Sequence, residues 1–224
     1  MKGRVAHPRN SLIYRIVVGV LFLGVGGIGP LPAWGIQVNL TLEEAKQILA
    51  SGREPMEKAK GLEDVARIFK ASEKPFRVGA DPEQERCGTS AILKTKHYWL
   101  EYFGRREAAE SKRQNRTIRM PEDKIRDILA MPNLEIELWL CGQEEFFAEG
   151  VDVALQQGSR NIMPVDKGKP SRGRRIPGSD SDYVSRFSAR FAYDDFDPNA
   201  KTNIVVFFPD GKLITLEADF SKIQ

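Results

Sequence analysis

The stretch from Lys201 to Phe220, KTNIVVFFPDGKLITLEADF, constrains the fold more than any other part of the chain. Two apolar runs flank Pro209-Asp210-Gly211. Proline presets φ, aspartate bonds back to its own backbone and glycine takes a left-handed position, so the stretch predicts a β-hairpin. On its first strand Ile204, Val206 and Phe208 alternate with Val205 and Phe207, which predicts a central strand buried on both faces. On the second, Ile214, Leu216, Ala218 and Phe220 share a face opposite Thr215, Glu217 and Asp219, which predicts a half-exposed strand.

The same period of two runs upstream. Leu134, Ile136, Leu138 and Leu140 alternate with Glu135, Glu137, Trp139 and Cys141. Val151, Val153 and Leu155 repeat the pattern, and Ser159 to Met163 follows a Gln157-Gly158 turn. The longest alternation places Tyr183, Ser185, Phe187, Ala189, Phe191 and Tyr193 on one face. About six strands with short turns predict an antiparallel β-sandwich over residues 132–224. In strand rhythm alone this half resembles the immunoglobulin-like modules of exported bacterial proteins.

Residues 36–131 read as mainly helical. Thr41 with Glu44 forms a capping box that opens a helix ending near Ser51-Gly52. Residues 52–61 read as a turn or broken helix, and Leu62 to Lys70 as a second helix. Ser72 to Gly88 reads as a loop, and Ala91 to Leu93 as a brief extended piece. Thr95 to Ser111 is a helix with an aromatic stripe of Tyr98, Trp99, Tyr102 and Phe103, a pattern expected of a core face. Pro121 to Ala130 is a further helix. These apolar faces are too thin for an independent core, so the helices are expected to dock on the sandwich in an α+β arrangement.

Residues 1–35 read as a cleaved signal peptide. Lys2, Arg4, Arg9 and Arg15 precede an apolar core from Ile16 to Ile28, and Ala33-Trp34-Gly35 is a small-x-small cleavage signal before Ile36. The apolar run is shorter than the ~20 residues that span a bilayer, so no transmembrane span is expected in the mature chain. The expected location is periplasmic or secreted. The formal charge of +3 falls to −1 when those four cations are set aside, which gives no basis for nucleic-acid binding. In an oxidising compartment Cys87 and Cys141 are a candidate disulfide.

The mature chain holds one histidine, His97, and no CxxC, GxGxxG or P-loop, so no catalytic residue and no bound cofactor is predicted. Asp195, Asp197 and Asn199 match the opening of a calcium loop, but Ala200 replaces its glycine and Val206 its closing glutamate. The alternative is an Asx-rich turn. Lys167, Lys169, Arg172, Arg174 and Arg175 make a basic loop able to engage an anionic partner. Glu43-Glu44 and Glu144-Glu145 are paired carboxylates. The expectation is a non-enzymatic binding or envelope-structural module with a protein or envelope partner. The alternatives are a calcium-stabilised adhesion-like module and a small carboxylate-dependent hydrolase.

Overall fold

Thr41 opens the first helix as expected: its hydroxyl accepts from the Glu44 N–H (3.2 Å) while the Glu44 carboxylate accepts from the Thr41 N–H (2.7 Å). The computed structural model describes residues 35–179 and 182–223. The signal-peptide reading, all but Gly35, therefore lies outside the described residues. Helix α1 is Leu42–Lys58, passing through Gly52 and Pro55. The expected stop at Ser51-Gly52 and the broken helix after it are thus corrected. Gly52 is a buried contact residue, not a terminator: a Cβ on it would overlap the Glu101 carbonyl oxygen.

Helix α2, Leu62–Glu73, leads through a short 3-10 turn into strand β1, Arg77–Gly79. Strand β2, Ser90–Lys94, pairs antiparallel with β1. The predicted loop over 72–88 is therefore only partly loop. Helix α3, Lys96–Gln114, is capped by Thr95, whose Oγ1 accepts from the Tyr98 N–H. It ends at Asn115 in the left-handed region, and α4, Glu122–Leu129, follows.

The remaining strands are β3 (Asn133–Gly142), β4 (Asp152–Gln157), β5 (Arg160–Ile162), β6 (Asp166–Lys167), β7 (Arg174–Arg175), β8 (Tyr183–Ala192), β9 (Lys201–Phe207) and β10 (Leu213–Asp219). They form two antiparallel sheets. One runs β1-β2-β3-β8-β6 with β7 also on β8, and the other runs β10-β9-β4-β5. The helical stretch therefore donates β1 and β2 to the larger sheet, and Ala33–Gln224 makes one compact unit.

One core lies between the sheets, in a sandwich-like arrangement. Leu134, Ile136, Leu138 and Leu140 of β3 and Phe187, Ala189 and Phe191 of β8 share it with Val153 and Leu155 of β4 and Ile204 and Val206 of β9. Burying a Leu or Ile side chain stabilises by roughly 1.5–3 kcal/mol, so the period-two pattern fixes which face of each strand turns inward. The other face of β9 departs from expectation. Val205 is half-buried and Phe207 is 37% exposed, so this face of β9 is only partly covered. A second cluster joins the helices through Ala45, Leu49, Leu100, Ile125 and Ile128, and Trp99 touches both clusters.

Cys87 and Cys141 are disulfide-bonded, tying the loop before β2 to the end of β3. Lys96 is buried and donates to the carbonyls of Val38 (2.8 Å) and Leu129 (2.6 Å), which pins the chain before α1 to the end of α4.

Candidate sheet-face binding site

The outward positions of the larger sheet carry a ladder of charged side chains. The register places Ser90, Trp139 and Arg186 in one row, Ile92, Glu137 and Ser188 in the next, and Lys94, Glu135 and Arg190 in the third. Arg77 lies across from Ile92, Asp166 across from Arg190 and Arg174 across from Val184. Alternation puts all of them on the face turned away from the inter-sheet core.

Over β2 this face is covered. Ile92 is buried, and the Lys94 ammonium lies 5.2 Å from the ring of Trp99 in α3. Beneath this cover Lys94 bridges Glu137 (2.6 Å) and Glu135 (3.2 Å). Burial pulls the Lys94 ammonium down, but the two carboxylates outweigh it and hold it above the usual lysine range. Burial likewise raises Glu137, but the ammonium and the Trp139 indole N–H (2.7 Å) hold its carboxyl below its usual value. Glu135 also accepts from Ser188 (3.1 Å) and lies 3.8 Å from Arg190, which reaches Asp166 at 3.1 Å.

Towards β8 the ladder becomes cationic. Two guanidiniums meet Trp139, Arg186 at 3.2 Å from its ring centroid and Arg77 at 5.0 Å. Arg77 is neutralised by Glu73 (3.0 Å) and donates to Ser90 (2.9 Å). Arg186 has no ion-pair partner among the described residues, and its Nε is buried without a hydrogen bond. Burial, together with the nearby Arg174 and Arg77 and against the pull of Glu137, brings its guanidinium below its usual range. Arg174 is exposed and also stands outside any ion pair among the described residues.

The basic loop read from the sequence divides in the fold. Lys167 in β6 donates to Asp152 (2.5 Å) and to the Val151 carbonyl. Lys169 is exposed. Arg172 pairs with Glu145 and lies over Phe146. Arg175 donates to the Tyr183 hydroxyl (3.0 Å). Only Arg174 joins the sheet-face cluster. Ser171 secures the approach, its Oγ accepting from the Arg186 N–H (3.0 Å).

The acidic turn is built as an Asx turn. Asp197 Oδ1 accepts from the Asn199 N–H (2.8 Å), and the Asp197 N–H donates to Gln157 (2.9 Å). Phe196 anchors the turn in the core beside Tyr193 and Phe220. Asp195 is half-buried, and the Asn199 side chain lies against Gly35. Among the described residues no three His, Cys, Asp or Glu side chains gather where they could hold a metal ion.

Most of the paired glutamates have local partners. Glu44 belongs to the capping box, Glu43 pairs with Lys46 and Glu145 with Arg172, while Glu144 is exposed. A groove of about 850 Å³ beside the disulfide is lined by Glu144, Glu149, Asp182 and Asp210 among others. His97 sits 3.5 Å from Glu101, with its ring against Phe76. The aromatic stripe packs on itself and into the cores, with Tyr98 edge-on to Phe76 at 5.2 Å.

Arg77, Lys94, Glu137, Trp139 and Arg186 were not singled out from the sequence. Their signal was present as outward residues of alternating strands, but their charges meet only once the register of β2, β3 and β8 is known. Among the described residues no helix is long and apolar enough to cross a membrane. No family model matches the chain, and no curated protein is significantly similar to it.

Proposed function

We propose that this protein is an exported, non-enzymatic binding module that meets its partner with the open, β8-side half of the six-stranded sheet. The observation that carries this reading is the pair Arg174 and Arg186: two guanidiniums on the outward face, neither in an ion pair among the described residues. Cations normally find a carboxylate or remain fully hydrated, and Arg186 does neither. The disulfide accords with an oxidising compartment, and the strand rhythm with the immunoglobulin-like modules of exported proteins. Export itself rests on the reading of residues 1–35, and the partner would be a protein or another envelope component.

The test is site-directed photo-crosslinking in the exporting cell. A photoreactive residue replacing Ser188, on the outward face between Arg186 and Arg190, is expected to trap a defined partner. The same residue at Thr215, on β10 of the other sheet, is expected to trap none. Equal labelling from both positions, or a hydrolytic activity abolished by Glu144→Gln or Glu149→Gln, would overturn the reading.

A further inference from the structure

We infer that Arg174 and Arg186 form a binding site for one oxyanion group, a phosphate or sulfate, on the open half of the larger sheet. This deepens the binding-module reading and rests on it. Arg186 is not a free surface side chain. Its guanidinium carbon lies over the Trp139 ring, 3.2 Å from the centroid, which holds the group against the ring. Trp139 is itself held, because its indole N–H donates to Glu137 and its ring also meets Arg77. A guanidinium held against a ring has less freedom to lose on binding, and its planar fork matches two oxygens of a phosphate or sulfate.

The pattern of ion pairs points to the ligand. Arg77 is matched by Glu73, Lys94 by Glu135 and Glu137, and Arg190 by Asp166. That leaves Arg174 and Arg186 in no ion pair among the described residues, with Glu137, already paired with Lys94, acting on Arg186 from beyond ion-pair distance. Two guanidinium forks suit the three free oxygens of a phosphate or sulfate group better than the two of a carboxylate. Stacking of a neutral sugar on Trp139 is disfavoured because guanidiniums already lie against the ring. Buried Nε of Arg186, without a hydrogen-bond partner, marks the residue whose pairing is incomplete.

The experiment is an NMR titration of the full exported chain with sodium sulfate and with inorganic phosphate at constant ionic strength. It follows the Trp139 indole and Arg186 Nε–H resonances, assigned with Trp139→Phe and Arg186→Gln. Saturable shifts with either ion, and competition between the two, are expected. Losing one charge-assisted contact weakens binding by about tenfold or more, so Arg174→Gln, an exposed change compatible with folding, should lower affinity by that factor. Arg190→Gln should leave affinity unchanged. Shifts that grow linearly without saturation, or an affinity unaltered in both Arg174→Gln and Arg186→Gln, would overturn the site. Glycerol 3-phosphate and a sulfated disaccharide, titrated in parallel, separate a lipid-headgroup source from a glycan source by which binds more tightly. A Ser188 crosslink that persists while sulfate and phosphate fail to bind would remove the oxyanion site and leave the binding module standing.

Discussion

Gly104 of α3 lies directly against Leu49 of α1, so close that a Cβ on Gly104 would overlap the Leu49 carbonyl oxygen. Gly52 makes the reciprocal contact with Glu101, and α1 and α3 cross at these two glycines. Around the crossing, Arg53 of α1 pairs with the buried Glu107 of α3 at 2.7 Å. In an isolated helix Gly→Ala would stabilise by about 1 kcal/mol. Here the methyl group meets backbone rather than a flexible side-chain tip, so the helices must separate and lose core contacts. Gly104→Ala and Gly52→Ala are each expected to destabilise by about 1–3 kcal/mol in chemical denaturation, the opposite sign to propensity. A neutral or stabilising result would mean that the crossing can relax at little cost.

The Cys87–Cys141 bridge spans a sequence separation of 54 residues and joins two segments that the sheet already holds together. Its main effect is therefore on the unfolded chain. In the chain-entropy account the closed loop contributes about 4 kcal/mol. Cys141→Ser and Cys87→Ser are expected to lower the melting temperature equally. Reductant should lower that of the native chain by a similar amount and leave either variant unaffected. A reductant effect on the serine variants would show that something other than this bridge responds.

The parts of the fold legible in the sequence were those governed by local chemistry. The Pro209–Gly211 turn has Gly211 at φ +86°, and Asp210 accepts from the Lys212 N–H, as its composition requires. The alternation of β3 and β8 grouped the buried residues of each strand on one face, because a period of two leaves one choice of partition. What failed were features decided by distant neighbours. Gly52 resembles a helix stop until α3 is seen to need the space. Arg77–Gly79 has no strand signature of its own and pairs because β2 offers an edge. Arg174 reads in sequence as one cation of a loop, yet its place on the same face as Arg186 follows from strand pairing across long sequence separations.

Asp197 provides a test between a calcium loop and a turn. Its side chain accepts from the Asn199 N–H and its own N–H donates to Gln157, so Asp197→Ala removes one half of a turn that is already satisfied without an ion. A loss of about 1 kcal/mol is expected, equal in calcium and in chelator. If instead calcium raises the melting temperature of the native chain and not of Asp197→Ala, the loop binds the ion, because a ligand selective for the folded state stabilises it.

Alkaline stability should be governed by buried phenols. Tyr98 is buried against Phe76, and burial pushes its hydroxyl up to about 12; burial also pushes Tyr193 up. The ordinary value in the unfolded chain is about 10. A group whose folded value is raised contributes stability that is complete below the unfolded value and is lost as pH climbs through the folded one. Tyr98 therefore contributes fully below about pH 10, and its contribution fades between about 10 and 12, removing up to about 2–3 kcal/mol. Lys96 acts in the opposite sense: burial lowers its ammonium, so its deprotonation favours the folded chain as pH approaches the ordinary lysine value of about 10.4. Denaturant midpoints of the native chain should fall steeply above pH 10. Tyr98→Phe, which retains the ring, should flatten that fall without changing the slope below pH 9. A fall of equal steepness in Tyr98→Phe would place the alkaline transition elsewhere, and Tyr193→Phe is then the variant expected to flatten it.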